Sequence, residues 1–457
     1  MEYLPAVIQI PFATLFQLRL RARTGEGEFL MSLDSRKTSR RVVRLPIRHG
    51  RLQRPSAIRG ALSIVGIGAL VILVSVAAVS GIAVWQTLST IKPGVHLVQL
   101  AGQKAVPPPQ VGSISGAVNL LLAGTDTRSG QAGFQNKADL AGSSGAGNND
   151  VTMVLHISAD HTHAVVISIP RDELVTIPAC PQPNGKVRPG ASMAMFNSTV
   201  SRGGLPCVVL AAEQLTGLNI QYAALISFDG VIGMSNAVGG VTVCLATPVV
   251  DPYVGLNLGA GQVTLQGADA LAFVRSRHGV GDGSDLGRIS NQQMFLSALM
   301  RKVSSEGVLD NPLTLYKLAN AAVSNMQFSD TLASPTTMVA IALALKHISL
   351  NNIVFVQYPT KSDPAYPGRV VAEQPDDSIL NADLAADSPL ILSKLGRATV
   401  LAPATPGAST ASGTPTSTSS GTPTGTASLP PTAGVALPGD VTGQTADQQT
   451  CVKGYRP

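Results

Sequence analysis

Residues 273–293 read FVRSRHGVGDGSDLGRISNQQ and concentrate charge in a chain of which only 13% is charged. Arg275 and Arg277, two positions apart, would share one side of an extended segment. Glycines punctuate the stretch, and the apolar spacing of residues 289–302 predicts a helix with Arg288 near its start. Paired guanidiniums beside a helix N-terminus suit phosphate oxygens. An arginine–aspartate surface network is the alternative interpretation of this stretch taken alone.

A second feature is the uncharged segment Ala61–Trp85, which is long enough to cross a bilayer. As a helix it would measure about 37 Å at roughly 1.5 Å per residue, against a hydrocarbon core of about 30 Å. Eleven arginines and one lysine lie between Arg19 and Arg59, against three acidic residues. Because basic flanks stay inside, we predict an uncleaved signal anchor in the cell membrane, with residues 1–60 cytoplasmic and the remainder extracytoplasmic.

The N-terminal apolar run Tyr3–Leu18 is too short to span a bilayer comfortably and has no basic flank before it. It is either an interfacial segment or the result of a translation start that lies later, for example at Met31. From Gly60 onward the chain is nearly neutral, with 21 basic and 23 acidic residues. The formal net charge of +6 therefore reflects one flank and gives no argument for nucleic-acid binding.

All four cysteines follow the predicted membrane segment, in the compartment where disulfides persist. None has the C-x-x-C spacing or the nearby histidines of a zinc site. Cys180 and Cys207 flank a segment rich in Pro, Gly and Asn, so we predict a bridge between them. Cys244 lies in the apolar run VTVCL and is expected to be a buried thiol, which leaves Cys451 without an assigned partner.

Composition divides the exported part into three regions. Residues 86–115 end in a proline-rich run and are predicted to be a stalk, and residues 399–457 are predicted to be a disordered Ser/Thr/Pro/Gly-rich tail. Between them, residues 116–398 alternate short apolar strands with helical patterns. This alternation predicts an α/β domain with a mixed central sheet and helices on both faces, an α-β-α sandwich.

Charged residues flank the predicted strands of this domain. Asp126 and Arg128 follow the strand AVNLLLA, Asp150 precedes the strand VTMVLHIS, and Arg171 follows the strand HAVVISI. Two strand-end aspartates without His or Cys ligands suit a hard cation such as Mg²⁺. Several arginines around that cation describe a site for a pyrophosphate or phosphodiester. Each residue taken alone is also compatible with a cap, a turn or a local ion pair.

Five blocks occur in order along the chain: LLLAGTDTR, NDVTMVLHIS, VVISIPRD, FDGVIGMSNAVGGV and LQGADALAFVRSRH…DLGRISNQQ. From about Asn119 to Lys302 this order resembles the LytR-CpsA-Psr family, and weaker similarity continues to about residue 398. The alanine- and glycine-rich composition, the Ser/Thr/Pro tail and the cysteines of the exported domain resemble actinobacterial members.

The resemblance implies a membrane-anchored phosphotransferase that uses Mg²⁺. Such an enzyme moves a glycopolymer from a polyprenyl-pyrophosphate carrier to a muramic acid hydroxyl of peptidoglycan and forms a phosphodiester. Carried over, Asp126 and Asp150 would hold the metal, and Asp285 would help to deprotonate the acceptor. The pyrophosphate would be bound by Arg128, Arg171, Arg275, Arg277, Arg288 and Gln292, of which Arg275 and Arg277 also count as catalytic. Apolar helices would form a tunnel for the polyprenyl chain.

The sequence departs from the family pattern where a phosphate-binding lysine is often found, because Met195-Phe196-Asn197 occupies the aligned stretch. Lys186 or Arg188 would have to compensate, and Asp282 competes with Asp285 for the place at the acceptor. Two alternatives to ligation stay open. One is a pyrophosphatase or phosphodiesterase that uses water as acceptor, and the other is a non-enzymatic wall regulator that binds polyprenyl phosphate.

Overall fold

The computed structural model describes residues 61–62, 65–75, 78, 93–100, 114–129, 131, 147–305, 311–403 and 434–455. The chain divides into two compact units, Met1–Leu73 and Val74–Pro457. In the first unit the described residues are helical and exposed. No helix within the described ranges is both long enough and apolar enough to cross a membrane. Part of the predicted segment Ala61–Trp85 and all of residues 1–60 lie outside those ranges.

The second unit contains strands and helices in alternation. Its strands are β1 (Val118–Thr125), β2 (Asn149–Ile157), β3 (Ala164–Ile169), β4 (Leu174–Ile177), β5 (Cys180–Pro181), β6 (Val187–Arg188), β7 (Ala191–Met195), β8 (Tyr222–Ile226), β9 (Val241–Leu245), β10 (Val249–Asp251), β11 (Leu256–Leu258), β12 (Gly261–Leu265), β13 (Met326–Phe328), β14 (Ile353–Gln357), β15 (Thr360–Ser362), β16 (Val370–Ala372), β17 (Leu390–Ile391), β18 (Lys394–Leu395), β19 (Thr399–Leu401), β20 (Val435–Ala436), β21 (Thr442–Thr445) and β22 (Thr450–Val452). Its α-helices are α1 (Thr199–Thr216), α2 (Phe228–Ala237), α3 (Ala268–Arg275), α4 (Asp285–Ser305), α5 (Pro312–Asn325), α6 (Pro335–Lys346) and α7 (Asp376–Ala385).

The central sheet is mixed, as predicted. Its strands run in the order β13-β8-β1-β2-β3-β14-β21-β18. The pairs β8–β1, β3–β14 and β21–β18 are parallel, and the other neighbouring pairs are antiparallel. The predicted hairpin is β2–β3, in which Val154 faces Ile167. Val154 also faces Leu121 across the β1–β2 pair, which sets these three side chains on one face of the sheet.

Both faces of the central strands are largely apolar, and helices cover both, which confirms the layered α/β arrangement. On one face Leu121 and Ile167 belong to a core that includes residues of α1 and α7. On the other face Met153 and Phe355 belong to a second core, completed by residues of α4 and α6. Successive residues of a strand point to opposite faces, so each strand contributes to both cores.

A second sheet has the order β12-β9-β22-β19. Val241 of β9 shares a third core with Phe273 of α3 and Phe295 of α4. Because α3 ends at Arg275 and α4 begins at Asp285, this packing fixes the two helix ends that flank the arginine-rich loop.

The prediction that residues 399–457 form a disordered tail is wrong for the parts of this segment that the structure describes. β22 pairs with both β9 and β19, and β21 enters the central sheet between β14 and β18. In β21 the buried Gln444 amide donates to Ser297 Oγ at 2.7 Å, and its carbonyl oxygen accepts from Thr450 at 2.9 Å. Such hydrogen bonds replace those to water, so a polar strand is buried without a hydrophobic pattern to announce it. Residues 404–433 lie outside the described ranges.

The prediction that residues 86–115 form a stalk is also wrong for part of this segment, because residues 93–100 pack on the domain. The Val95 amide donates to the Phe328 carbonyl at 2.8 Å. Leu97 packs against the core that contains α1 and α7. This segment is therefore part of the fold.

Two disulfides link elements of the domain, Cys180–Cys207 and Cys244–Cys451. The first confirms the predicted bridge and joins β5 to α1. The expectation that Cys244 is an unpaired thiol is wrong. The parallel strands β9 and β22 place Cys244 opposite Cys451, so the bridge depends on the C-terminal strands that composition did not reveal.

Replacing both Cys244 and Cys451 by Ser should lower the free energy of unfolding by roughly 2–5 kcal/mol. The loss should exceed that of the Cys180/Cys207 double variant. The Cys244–Cys451 bridge spans a sequence separation of 207, whereas the Cys180–Cys207 bridge spans one of 27. The loop-closure entropy that a cross-link removes from the unfolded chain grows with this separation. Urea unfolding without reductant measures both losses, and a larger loss for the Cys180/Cys207 variant would contradict the expectation.

Glu173, which immediately precedes β4, is completely buried. Neither of its carboxyl oxygens has a hydrogen-bond partner among the described residues. Burial raises the pKa of Glu173 well above its ordinary value, and the neighbouring Asp377 carboxylate raises it further. The carboxyl group is therefore protonated in the folded state at pH values where it ionises in the unfolded chain.

The substitution Glu173→Gln should remove a pH dependence of stability. In the parent protein the folded state binds the extra proton, so stability falls as pH rises from the unfolded pKa of about 4.3 through the raised folded pKa. At about pH 8 we expect the variant to be more stable than the parent, because the parent must take up a proton or bury a carboxylate on folding, whereas the Gln amide is neutral in both states. Urea unfolding between about pH 4 and 9 tests this. The exposed Asp440→Asn variant, as control, should keep the parent slope, and an unchanged slope in Glu173→Gln would refute the assignment.

Candidate functional site

The site begins at a β-bulge between β1 and β2. The register shifts between Gly124 and Thr125, which makes Asp150 an extra residue on β2. Bulges bend a strand and redirect a side chain, and they are frequent beside active sites. Asp126 directly follows β1, and its carboxylate accepts hydrogen bonds from the main-chain and side-chain nitrogens of Asn148. Both carboxylates therefore emerge at the same end of the β1–β2 pair.

Asp150 and Asp285 share two arginines from different elements. Arg171 Nη1 lies 2.7 Å from Asp150 Oδ1, and Arg171 Nε lies 3.2 Å from Asp285 Oδ1. Arg288 Nη2 lies 2.8 Å from the same Asp285 oxygen and donates to the Asp150 main-chain carbonyl at 2.8 Å. This buried charge network joins β2, the end of β3 and the first turn of α4.

Asp285 lies behind the two arginines, with only 12% of its side chain exposed. Burial raises the pKa of Asp285, whereas the nearby guanidiniums of Arg288 and Arg171 oppose that rise. The ion-pair distances are short, yet neither carboxylate oxygen has an aligned hydrogen-bond donor among the described residues. The contacts of Asp285 are therefore mainly electrostatic, and they orient both guanidiniums.

Arg275 is the last residue of α3, so the predicted extended conformation is wrong at this position. The extended backbone begins at the next residue, Ser276, which is the C-cap of α3. The helix end places the Arg275 guanidinium 4.3 Å above the centre of the Phe228 ring, a cation–π contact. Phe228 opens α2, so this contact ties α2 to α3.

Several charges act on Arg275. Burial lowers its pKa, and the neighbouring Arg128 and Arg288 lower it as well, whereas Asp150 and Asp126 raise it. An arginine remains protonated under all such conditions. These opposing effects show that the two aspartates and three arginines form one electrostatic cluster. Buried guanidiniums that repel one another favour a bound anion between them.

A buried aspartate that the sequence analysis did not single out, Asp251, holds the loop after α3. Its Oδ2 accepts from Ser276 Oγ at 2.8 Å, from the Arg277 amide at 3.1 Å and from the Gly279 amide at 3.2 Å. Its Oδ1 accepts from the Tyr253 amide at 3.1 Å. One carboxylate therefore fixes both the loop that carries Arg277 and the turn that carries Tyr253.

The C-terminal segment supports the same loop from another direction. The Tyr455 amide donates to the Gly279 carbonyl at 2.9 Å, and the Gly281 amide donates to the Lys453 carbonyl at 2.9 Å. These residues follow Cys451, which is joined to β9 by its disulfide. The arginine-rich loop is thus held by the C-terminal strand as well as by Asp251.

Two cavities meet at this cluster. The larger, of about 430 Å³, is almost entirely apolar, and the smaller, of about 170 Å³, is polar. The walls of the larger include Val231, Leu271, Phe295, Leu299 and Val303. The smaller is lined by Asp150, Arg171, Asp251, Tyr253, Val254, Arg275, Arg277, His278 and Arg288. Asp150, Arg275 and Arg288 line both cavities, so an apolar space and an anion-binding space adjoin at three charged residues.

The structure brings most of the predicted site residues together. The polar cavity contains Asp150, Arg171, Arg275, Arg277 and Arg288, and the apolar cavity has Gln292 on its wall beside Arg288. Asp126 and Arg128 line neither cavity but act on Arg275 through their charges. Asp285 also lines neither cavity.

The residues proposed as substitutes or competitors lie elsewhere. Lys186 and Arg188 line neither cavity, and Arg188 donates instead to the Ser201 carbonyl at 3.4 Å. The structure therefore places neither Lys186 nor Arg188 at the site as a substitute for the missing lysine. Asp282 lies in the loop, with Arg397 at 3.4 Å, whereas Asp285 contacts the site arginines directly.

Sequence reasoning missed Phe228, Asp251, Tyr253 and Arg369. Arg369 extends the charge network, because it pairs at 3.0 Å with Asp172, which lies 3.5 Å from Arg171. The sequence carried weak signals for Asp251 and Tyr253. Asp251 is an acid in a region with few charges, and Tyr253 follows it across a proline in a chain that is only 4% aromatic. The contacts of Phe228 and Arg369 are long-range, and no local pattern marks them.

A magnesium ion fits the carboxylates that are present. Among the described residues no group of three or more His, Cys, Asp or Glu side chains could hold a metal ion. Mg²⁺, however, is commonly held by one or two carboxylates together with substrate phosphates and water. Asp150 uses Oδ1 for Arg171, while its Oδ2 has no partner among the residues the structure describes. Asp126 lies at the same strand end, so these two residues suit a metal that is completed by a bound pyrophosphate.

The substitution Asp285→Ala should lower the free energy of unfolding by roughly 3 kcal/mol, because it leaves the buried Arg288 guanidinium without its carboxylate partner. The control is Asp440→Ala, at a position where 77% of the side chain is exposed. Its effect should stay within about 0.5 kcal/mol, as is usual for surface positions. Urea unfolding compares the two, and equal losses would show that Asp285 does not anchor the buried charge network.

Comparison with known proteins identifies a family match over most of the folded domain. The sequence pattern of the LytR_cpsA_psr family matches residues 95–381. The chain is 34% identical over 220 residues to the "Probable cell wall biosynthesis protein LcpB" of Corynebacterium glutamicum, covering 48% of this chain and 50% of that protein. It is 32% identical over 189 residues to the "Polyisoprenyl-teichoic acid--peptidoglycan teichoic acid transferase TagU" of Oceanobacillus iheyensis, covering 41% and 52%. The chain thus spans about half the length of the curated relatives it matches.

A solved structure, the LytR-Csp2A-Psr enzyme from Actinomyces oris, is 20% identical, with a TM-score of 0.46. The alignment covers 65% of this chain and 96% of that one. The family pattern by itself spans well over half of the present sequence. The chain therefore belongs to the LytR-CpsA-Psr family and is of the actinobacterial type.

Proposed function

We propose that the protein is a membrane-anchored phosphotransferase of cell-wall assembly. It ligates a glycopolymer from a polyprenyl-pyrophosphate carrier to a muramic acid hydroxyl of peptidoglycan. The observation that carries this proposal is the junction of two cavities, one apolar and one polar, at Asp150, Arg275 and Arg288. A polyprenyl pyrophosphate has the same division, with an apolar chain joined directly to a doubly charged head.

The apolar cavity supports the lipid part of the proposal. Its walls come from the central sheet and from α2, α3 and α4, and they offer almost no polar surface. A hydrocarbon chain gains free energy when it leaves water for such a space, roughly 0.8 kcal/mol for each buried CH₂. Ligand pockets are mostly apolar with a few polar groups that fix orientation, and the guanidiniums at the end of this cavity are such groups.

The arginines support the pyrophosphate part. Guanidiniums bind phosphate oxygens with two parallel hydrogen bonds, and burial strengthens these bonds because water does not compete. Arg275 and Arg277 would neutralise the charge that develops on the phosphate as it is transferred. Arg128, Arg171, Arg288 and Gln292 would hold the remaining oxygens. The name of the Oceanobacillus iheyensis relative, a polyisoprenyl-teichoic acid–peptidoglycan transferase, describes the same class of donor and acceptor.

In the proposed reaction the acceptor hydroxyl oxygen attacks the phosphorus that carries the glycan. The bond from that phosphorus to the bridging oxygen breaks, and polyprenyl phosphate leaves with the bridging oxygen. Asp126 and Asp150 would hold Mg²⁺, which when bound supplies charge neutralisation on the pyrophosphate. The hydroxyl proton passes to a base, and Asp285 remains the proposed candidate.

The geometry sets a condition on Asp285 as that base. Its carboxylate faces Arg171 and Arg288 and lines neither cavity, so proton transfer would require it to move away from these arginines. In the conformation described, Asp285 acts as a positioning residue for both guanidiniums. Burial raises its pKa in this conformation, and that shift depends on the surroundings that Asp285 would leave.

Ligation is tested with the purified full-length chain, a synthetic polyprenyl-pyrophosphate glycan, a peptidoglycan oligomer and Mg²⁺. Mass spectrometry follows the glycan. We expect a phosphodiester-linked conjugate, formed about 10²–10³-fold more slowly by Arg275→Ala, as is usual when a group that stabilises the transition state is removed. The matched control is Arg397→Ala, half-exposed and outside both cavities, which should retain activity.

Two other results would replace the proposal. Free glycan phosphate without conjugate would indicate a hydrolase that uses water as acceptor. Tight binding of the lipid without any reaction would indicate a regulator that senses polyprenyl phosphate. A rate that does not depend on Mg²⁺ or on Asp126 would remove the metal from the mechanism while leaving the arginines in place.

A further inference from the structure

We propose that Tyr253, with His278 beside it, forms a binding platform for a pyranose ring at the mouth of the polar cavity. The inference rests on the proposed function and adds a site for a sugar next to the phosphate. Among the described residues, Tyr253 is the most exposed of the large apolar and aromatic side chains, at 81%. It nevertheless lines the polar cavity together with the site arginines.

The two rings form one surface. The Tyr253 and His278 ring centroids lie 4.7 Å apart, with an angle of 47° between the ring planes. An aromatic ring has a negative face, which attracts the weakly positive C–H groups on the apolar side of a sugar. Arg277 and His278 supply hydrogen-bond donors next to this surface for the sugar hydroxyls. The arrangement of a ring face beside polar groups suits an amphipathic ligand such as a pyranose.

The size of the polar cavity points to the same place for the sugar. At about 170 Å³ it is smaller than the roughly 300–1,000 Å³ of ordinary small-molecule sites. The arginines around it account for the phosphate, so the sugar attached to or approaching that phosphate must lie at the opening. Tyr253 lines this cavity and is also highly exposed, which places its ring at the opening.

The platform is held at a fixed position relative to the reacting phosphate. Tyr253 lies in the turn between β10 and β11, and its amide donates to Asp251 Oδ1. The other oxygen of Asp251 accepts from the amides of Arg277 and Gly279. A single buried carboxylate therefore sets the spacing between the aromatic surface and the arginine loop. The tethered turn limits the backbone freedom that is lost on binding, and a tyrosine has only two side-chain torsions to fix.

Two sugars are present in the proposed reaction, the first sugar of the donor glycan and the muramic acid of the acceptor. Both present a pyranose face, so the shared chemistry is a stacked pyranose. Initial rates measured against donor and acceptor concentration separate them. We expect Tyr253→Ala to raise the KM for one of the two by three- to tenfold, the range expected for the loss of one aromatic stacking contact.

The controls separate stacking from other effects. Tyr253→Phe should stay within about twofold of the parent protein, since the ring and not the hydroxyl makes the contact. Tyr366→Ala, another exposed tyrosine that lines neither cavity, should leave both KM values unchanged. Binding of bare polyprenyl phosphate, which has no sugar, should be equal in all variants.

Saturation-transfer NMR with a muropeptide disaccharide and with the free donor glycan gives a readout that needs no catalysis. Transfer that is present in the parent chain and lost in Tyr253→Ala supports the platform even if ligation fails. The inference is overturned if both KM values and both transfer signals are unchanged in Tyr253→Ala. It is also overturned if Tyr253→Phe behaves like Tyr253→Ala, or if binding of bare polyprenyl phosphate weakens, because Tyr253 would then serve the phosphate or the lipid.

Discussion

The requirement that buried charges be paired organises this domain. Asp150, Arg171, Asp285 and Arg288 are removed from most of the solvent, and an ion without a partner in that position costs several kcal/mol. The four residues come from three segments of the chain, so none is satisfied until β2, the end of β3 and the start of α4 meet. Folding therefore assembles the anion-binding surface as a condition of its own stability, and the guanidiniums are in place before a ligand arrives.

This charged cluster also separates the two cavities. On one side lies the apolar cavity and on the other the polar one, with Asp150, Arg275 and Arg288 on both walls. Low dielectric on the apolar side strengthens each charge–charge interaction at the boundary. In the proposed function, a ligand that combines a hydrocarbon chain with a pyrophosphate would be bound by burial at one end and by guanidiniums at the other, with its phosphate where the two cavities meet.

A second set of contacts supports the arginine loop from outside. Asp251 accepts hydrogen bonds from both sides of the site, and the C-terminal residues Lys453 and Tyr455 bond to the glycines of the loop. The Cys244–Cys451 disulfide holds that terminal strand against β9. Glycines allow the loop to turn sharply, and these fixed neighbours compensate for the flexibility that glycine brings.

The sequence by itself determined the α/β class, the central hairpin, the main helices and the arginines and aspartates that cluster at strand ends. These features have local signals, since side-chain periodicity and charge placement act over a few residues. Only the tertiary structure decided that Gln444 belongs to a buried strand, that Cys244 pairs with Cys451 and that Asp285 lies behind the arginines. The physical reason is that these groups are satisfied by partners far away in sequence, such as Ser297 for Gln444, and a polar residue whose partner is distant looks the same in a sequence as one in solvent.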